Sequence, residues 1–379
     1  FPVGTVCEAT VKSSNEYALF VAIDGIEEVD CFLHANDLTF NQDSEEELKK
    51  YTGAKHAVAV VNGTAALHIC LKIVGVEQGD EVLVPTLTFV ATANAVSYCG
   101  ATPHFIDSSQ KTLGIDPQKL DNYLKDITEI RAEGCFNKKT GHRIKAVMPM
   151  HTFGHPVDLD SLVELCHRYK LELVEDAAES LGSFYKGIHT GNWGKASALS
   201  FNGNKIITTG GGGAILTNDD QLAKLAKHLT TTAKVSHKWS FIHDQVGFNY
   251  RMPNINAALG CAQLEALPDA IKNKRKLAEK YKQTFIGVKG IKFFEESSFA
   301  HSNYWLNTLI LNEKFSGQRD SLLESTNAHG IMTRPAWTLM HQLDMYESCP
   351  RMDDLTAAES LEKCLINIPS SAKLGLLNV

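Results

Sequence analysis

With 379 residues, 44% of them hydrophobic and 21% charged, the chain is long enough for two or three domains and has the make-up of a folded globular protein. Its 37 basic and 44 acidic residues are spread along the chain and give a net charge of −7, which excludes the broad basic field behind non-specific nucleic-acid binding. No run approaches the roughly 18 apolar residues of a membrane span, and FPVGTVCEAT has neither a basic segment nor an apolar signal core, so the cytoplasm is the expected location.

Residues 1–46 read as a separate unit. GTVCEATVKSSNEYALFVAIDGIEEVDCFLHANDL alternates apolar and polar residues between turn signals at SSNE and DG, a pattern of antiparallel β, and NQDSEEELKK marks a shift of composition. From residue 57 short apolar runs alternate with amphipathic stretches. AVAVV (57–61) precedes a helix starting near Thr64, EVLVP (81–85) precedes ATANAVSYCG, and KAVMPM (145–150) precedes LDSLVELCHRYK, whose apolar residues at 159, 162, 163 and 166 have a helical period. LELVED (171–176) and SALSF, ending at Phe201, are further buried strands. Strands alternating with helices predict an α/β unit, a mostly parallel sheet covered by helices, in which ligands gather at the carboxyl ends of the strands. LEALPDAIKNKRKLAEKYKQTF (264–285) predicts a long helix, interrupted near Pro268, bridging to a smaller α+β unit with a strand at NYWLNTLIL and a helix at RDSLLESTNAHG. The expected units are therefore 1–46, 47–265 and 266–379.

Nine cysteines fall singly, at 7, 31, 70, 99, 135, 166, 261, 349 and 364, with no CxxC pair. They read as reduced thiols, mostly in the core, and not as a disulfide framework or a zinc site. In HTFGHP (151–156) two histidines stand four apart, but Gly154 and Pro156 preclude the helix that would aim both at one metal, so no metal is expected.

Three strand ends carry chemistry. VNGTAALHICL places Asn62, Gly63 and Thr64 where a strand meets a helix, and free N–H groups with a hydroxyl at a helix N-terminus suit a phosphate. A plain threonine N-cap explains the same residues. In LVEDAAES, Asp176 ends an apolar strand beside the small Ala177 and Ala178, where a flat ring could lie close to the backbone. In SFNGNKIITTGGGG, Lys205 follows another strand end. The glycines come after the lysine, so GxxxxGK[ST] is absent and a P-loop is excluded; a partly desolvated, nucleophilic amine and a solvated loop lysine both remain open. The set says more than its parts, because pyridoxal phosphate needs a phosphate cup, a stacking surface, a carboxylate for its ring nitrogen and a lysine for a Schiff base. Thr64, Phe89, Asp176 and Lys205 supply these in order.

NGTAAL, TFVATANAV, EDAAESLG, SALSFNGNKIITTGGGGAI and GFNYRMPNINAALG strongly resemble the DegT-type nucleotide-sugar aminotransferases, pyridoxal-phosphate enzymes of fold type I, over about residues 47–379. The resemblance implies that Lys205 forms the Schiff base with the cofactor and that Asp176 pairs with its ring nitrogen. Thr64, the backbone at Ala65 and Ser200 are implied at the phosphate and Phe89 on the ring, with Gly63, Ala178 and Asn202 also implied in cofactor binding. Glu179 stands where many members have glutamine near the cofactor's phenolic oxygen, and two anionic oxygens there would repel, so a protonated, rotated or water-bridged Glu179 is expected. Asn249 is implied to reach the cofactor phosphate of a neighbouring subunit, which means a homodimer with shared sites. Tyr250, Arg251, Trp305 and Arg334, with Trp337, are the candidates for contacts to the sugar nucleotide. The implied reaction passes an amino group from L-glutamate to a 4-keto-6-deoxy sugar linked to UDP or GDP. Relatives that dehydrate have histidine at the lysine position, so Lys205 implies transamination.

Residues 1 to about 40 instead resemble the first three strands of the RNA-binding repeat of ribosomal protein S-one, an OB-fold, with Tyr17, Phe20, Phe32 and His34 on its base-stacking face. The repeat needs five strands and the chain switches at EELKKYTGAK, so a partial barrel without a complete RNA groove is expected. No RNA partner is expected from it, and the switch removes a segment that relatives use near the active site and dimer contact.

Overall fold

The computed structural model describes residues 9–15, 18–23, 30–34 and 40–377. Strands β1 (Ala9–Asn15), β2 (Ala18–Ile23) and β3 (Asp30–His34) pair antiparallel in that order, and the chain then enters helix α1 (Phe40–Thr52). Among the described residues no fourth strand joins this sheet. The base-stacking expectation lies outside the described residues, Tyr17 wholly and Phe20, Phe32 and His34 in their side chains.

The body then runs β4 (His56–Val60), α2 (Gly63–Ile73), β5 (Glu81–Pro85), α3 (Val90–Tyr98), β6 (Thr102–Ile106), α4 (Pro117–Ile127), a hairpin of β7 (Thr128–Arg131) and β8 (Gly134–Asn137), β9 (Arg143–Val147), α5 (Leu159–Tyr169), β10 (Glu172–Asp176), a second hairpin of β11 (Phe184–Tyr185) and β12 (Ile188–His189), β13 (Ala196–Ser200), β14 (Gly213–Thr217) and α6 (Asp220–Thr230). The main sheet has the order β4-β14-β13-β10-β9-β5-β6. Strands β4, β5, β6, β9, β10 and β13 point one way; β14 and the strand β8 beside β9 run against them. Successive strand residues face opposite sides, so Val82 and Val84 pack with Ile69, Leu71 and Val96 of α2 and α3, while Leu83 packs with Leu120 and Leu162 of α4 and α5. Both faces being covered, the strands read as near-continuous apolar runs.

A short hairpin of β15 (Lys234–Val235) and β16 (Ile242–His243) leads to α7 (Asn254–Phe285), followed by β17 (Ile291–Phe293), β18 (Ala300–His301), β19 (Asn307–Leu311), α8 (Arg319–Ala328), β20 (Arg334–Pro335), α9 (Thr356–Cys364) and β21 (Leu365–Ile368). An antiparallel sheet in the order β17-β19-β21-β20 makes the smaller α+β unit. Contrary to the expected interruption, α7 is continuous through Pro268 and starts ten residues earlier than its apolar pattern suggested. A proline removes one helical hydrogen bond, and the buried Leu264, Leu267 and Ile271 around it hold the helix together by packing against Leu48, Leu199 and Leu216. The helix therefore crosses residue 265 without a break.

Cys70, Cys99, Cys135, Cys166 and Cys364 are buried, Cys261 and Cys349 half-buried, and all seven are unpaired; Cys7 and the side chain of Cys31 lie outside the described residues. Among the described residues no helix is long and apolar enough to cross a membrane.

Candidate active site

The carboxyl ends of β4, β10 and β13 meet the loop after β5 around a cavity of about 300 Å³. At its floor Asn62, with extended backbone, accepts the Ala65 N–H on its Oδ1 at 2.8 Å, so Asn62 and not Thr64 caps α2. Thr64 is thereby left facing the cavity, whereas the Ala65 amide is already engaged and Ala65 does not line the space. Gly63 and Ser200 form the rest of this cup, held so close that a Cβ on Gly63 would lie 2.7 Å from that of Ser200. The seam is closed by Gly213, which pairs with Val60 on one side and Ser200 on the other. A Cβ there would lie 2.7 Å from both the Asn62 carbonyl carbon and the Leu199 oxygen, so the last glycines of the run let main chain approach main chain.

Asp176, at the end of β10, is 2% exposed and lines the cavity. The Thr92 hydroxyl donates to its Oδ2 at 2.6 Å and the Ala178 N–H to its Oδ1 at 3.2 Å. Thr92 is itself 2.8 Å from Thr88, so the carboxylate is oriented by α3. Burial raises its pKa above the usual carboxylate range, outweighing Thr92, Ala178 and the more distant Lys205. Such a carboxylate is satisfied by a cation in the cavity, and a protonated pyridine nitrogen is one. The donor set thus fits pyridoxal phosphate: a hydroxyl-lined helix N-terminus, a buried acid, an amine, and the Phe89 ring, 47% exposed at the N-terminus of α3.

Lys205 enters the cavity from the loop after β13. Its side chain is 10% exposed, its Nζ lies 3.2 Å from Glu179 Oε1 and 4.1 Å from the centroid of the Trp305 ring. Glu179 Oε2 accepts the Phe153 N–H at 2.9 Å, and burial, against the pull of Lys205, pushes the Glu179 carboxyl up to about 7. Glu179 is turned toward the cavity, onto Lys205. Phe153 donates from a left-handed backbone (φ 57°), a conformation that costs a non-glycine residue about 1–3 kcal/mol. Its ring is 5.0 Å from that of Trp337, which is in turn 6.2 Å from Phe89, so the three aromatics form one wall. Trp305 is fixed from behind, its indole N–H donating to the Asn204 carbonyl at 2.8 Å.

The histidines of HTFGHP serve structure. His151 Nε2 is 3.0 Å from Glu175, both fully buried, and Glu175 also accepts the N–H groups of Gly191, Trp193 and Gly194. His155 stands edge-on between Phe294 and Tyr304, and burial pushes its imidazole down to about 4. Among the described residues no cluster of three or more ligand-type side chains could hold a metal.

Of the residues named from sequence, Gly63, Thr64, Phe89, Asp176, Ala178, Glu179, Ser200, Asn202, Lys205 and Trp305 come together on this cavity. Asn249, Tyr250, Arg251 and Arg334 do not. Asn249 is exposed beside Thr231; Tyr250 stacks on Phe248 and reaches toward His68 in the core; the Arg251 main chain bridges to Val60; and Arg334 donates to Asn327 and the Thr333 carbonyl. Sequence reading missed Thr92, Asn62 as the cap, and the Phe153 amide. Only Asn62 had a local signal, an Asn directly before a helix.

The sheet and the cavity at its carboxyl edge define a pyridoxal-phosphate-dependent enzyme of fold type I. Residues 28–378 match the DegT/DnrJ/EryC1/StrS aminotransferase family, and the chain belongs to that family. It is similar to the GDP-perosamine synthase of Caulobacter vibrioides, 38% identical over 334 residues that cover 87% of this chain and 84% of the relative. Among solved structures it is similar to PseC of Helicobacter pylori, an aminotransferase of pseudoaminic acid biosynthesis (TM-score 0.80, 26% identity, 88% and 86% of the two chains), and to DesV of S. venezuelae (TM-score 0.78, 30% identity, 88% and 85%). The protein is a pyridoxal-phosphate-dependent aminotransferase.

Proposed function

We propose that this chain transfers an amino group from L-glutamate to a 4-keto-6-deoxy sugar nucleotide, with Lys205 and Asp176 as its catalytic residues, as a cytoplasmic homodimer. The observation that supports this most is that the Lys205 amine and the Asp176 carboxylate enter one cavity from the ends of two neighbouring strands. UDP and GDP both remain candidates for the nucleotide, and the similarity to GDP-perosamine synthases from three bacteria favours GDP.

When bound, pyridoxal phosphate supplies an aldehyde carbon that accepts an amine and a ring that draws electrons from the donor's Cα–H bond. The chain's own residues do the rest. Thr64, Ser200, Asn202 and Gly63 would hold the phosphate at the start of α2, whose N–H groups favour an anion. Asp176, oriented by Thr92, would keep a proton on the ring nitrogen. Phe89 and Ala178, which line the same cavity, would contact the ring. Lys205 Nζ takes and returns the proton at the donor's Cα, and Glu179, with a pKa near neutrality, can take a proton from that amine or give one to it.

The dimer is supported by the position of Asn249, exposed and away from its own cavity, just beyond a segment in which Trp239, Phe241 and Val246 are 72%, 80% and 84% exposed. Large apolar side chains so exposed are consistent with an interface between subunits. Units 47–265 and 266–379 remain the proposed division, with α7 shared between them. Residues 1–46 add no RNA-binding function to this reading.

The test is spectroscopic. Purified protein with added pyridoxal phosphate is expected to show the visible absorption of a lysine-bound cofactor, and Lys205→Ala to lose it. Absence of the band in the unmodified chain overturns the proposal. Amination of a panel of UDP- and GDP-linked 4-keto sugars with glutamate then identifies the nucleotide and hexose.

A further inference from the structure

Along α7 the buried residues Leu264, Leu267, Ile271, Lys274, Leu277 and Ala278 recur at three- and four-residue spacing, the stripe of a helix lying on a core. A lysine breaks that pattern. Lys274 is 6% exposed and makes no ion pair among the described residues; its Nζ donates only to main-chain carbonyls, that of Trp305 at 3.0 Å and that of Ser370. Burial pulls this amine down to about 8. An apolar residue would complete the stripe without burying a charge, so packing alone does not account for the lysine.

The two carbonyls show what it holds. Trp305 lays its indole face 4.1 Å from Lys205 Nζ, and the Trp305 main chain is the segment Lys274 grips. Ser370, the other partner, accepts the Asn307 N–H on its hydroxyl at 2.7 Å, two residues beyond Trp305. One ammonium therefore ties the Trp305 segment to α7 directly and to the C-terminal segment through Ser370. We propose that Lys274 is a positioning residue for Lys205, holding the Trp305 main chain so that the indole face stays against the Lys205 amine. This rests on the reading of Lys205 as the catalytic amine.

The charged groups around Lys205 are Glu179 and Asp176 in its own cavity and, lining an adjoining cavity that Lys205 also borders, Lys274 itself and Lys373. Releasing Trp305 takes the aromatic face away from the Lys205 amine and opens that amine to reagent, so a change at 274 acts on Lys205 only while the indole is present.

The experiment is competitive acylation of cofactor-free protein at one fixed pH, the rate at Lys205 read by peptide mass against that at the exposed Lys50. In Lys274→Met the relative rate at Lys205 is expected to rise by about two- to fivefold. Trp305→Ala is expected to produce a similar rise, with no further change in the double variant. An unchanged or lowered rate in Lys274→Met, or an additional rise in the Trp305→Ala background, overturns the proposal. If Lys274→Met does not fold, Lys274→Gln is judged by the same criterion. Because the readout needs no cofactor, its outcome is independent of whether the unmodified chain shows the absorption band, which tests Lys205 itself.

Discussion

Thr92 donates to Asp176 across 84 positions of sequence, and the bond fixes which way the buried carboxylate points. Replacing Thr92 by the near-isosteric valine leaves Oδ2 unsatisfied. The cofactor-free Thr92→Val protein is expected to lose about 1–3 kcal/mol in urea denaturation and to bind pyridoxal phosphate more weakly in absorbance titration. Asp176→Asn keeps the shape and removes the charge proposed to hold a proton on the ring nitrogen, so single-turnover amination is expected to slow by roughly ten- to a hundredfold, the worth of one charge-assisted bond. Asp176 and Lys205 were legible because each follows an apolar run, and a strand end in an α/β protein is where ligands bind. Thr92 was not, since a helical threonine carries no mark of the acid it will meet. The Phe153 amide was further hidden because its use depends on a left-handed backbone that nothing in HTFGHP announces. Trp305 was read only as a sugar contact; its place over Lys205 comes from a part of the chain 100 residues further on.

At the scale of elements, EVLVP forms β5 residue for residue and LDSLVELCHRYK forms α5 almost so, because both are bounded by clear turn chemistry. The start of α7 was missed because NINAALGCAQ is weakly amphipathic, and its continuity was missed because a proline was read as a stop when it removes one bond from a helix of 32 residues. The glycine run divides into two kinds. At Gly213 a methyl group would meet the main chain of β13 and of the turn into α2, whereas at Gly211 nothing lies within 4 Å. Gly213→Ala is therefore expected to destabilise the protein by about 1–3 kcal/mol or more and to impair cofactor binding. Gly211→Ala is expected to stay within about 0.5–1 kcal/mol of the parent. Thermal denaturation of the two variants, with and without pyridoxal phosphate, makes the comparison.

For the molecule as a whole, burial pushes the imidazoles of His68, His155 and His189 down to about 4 from an ordinary 6.5. The unfolded chain takes up protons there that the folded chain resists, so stability is complete above about pH 6.5 and falls as pH drops toward 4. His155, with no partner for either ring nitrogen, contributes on the order of 3 kcal/mol to that fall. Urea midpoints measured across this range are expected to show the slope, and His155→Phe to flatten it. The proposed dimer with shared sites makes a different prediction: two weakly active variants, Lys205→Ala and Asn249→Ala, are expected to recover activity on co-refolding, to roughly a quarter of the parent when dimers form at random. The reversed strand β14 carries one more implication. It lies between β4 and β13, so Val60 and Ser200 come to flank Gly213 only when β14, just beyond β13 in the chain, pairs with β4 some 153 positions before it. Pairings of such long range form late and slowly. No partly folded chain lacking that pairing can own a phosphate cup, and cofactor capture therefore marks the end of folding. Pyridoxal phosphate added during refolding should leave the rate unchanged and act as a latch, slowing escape from the finished state.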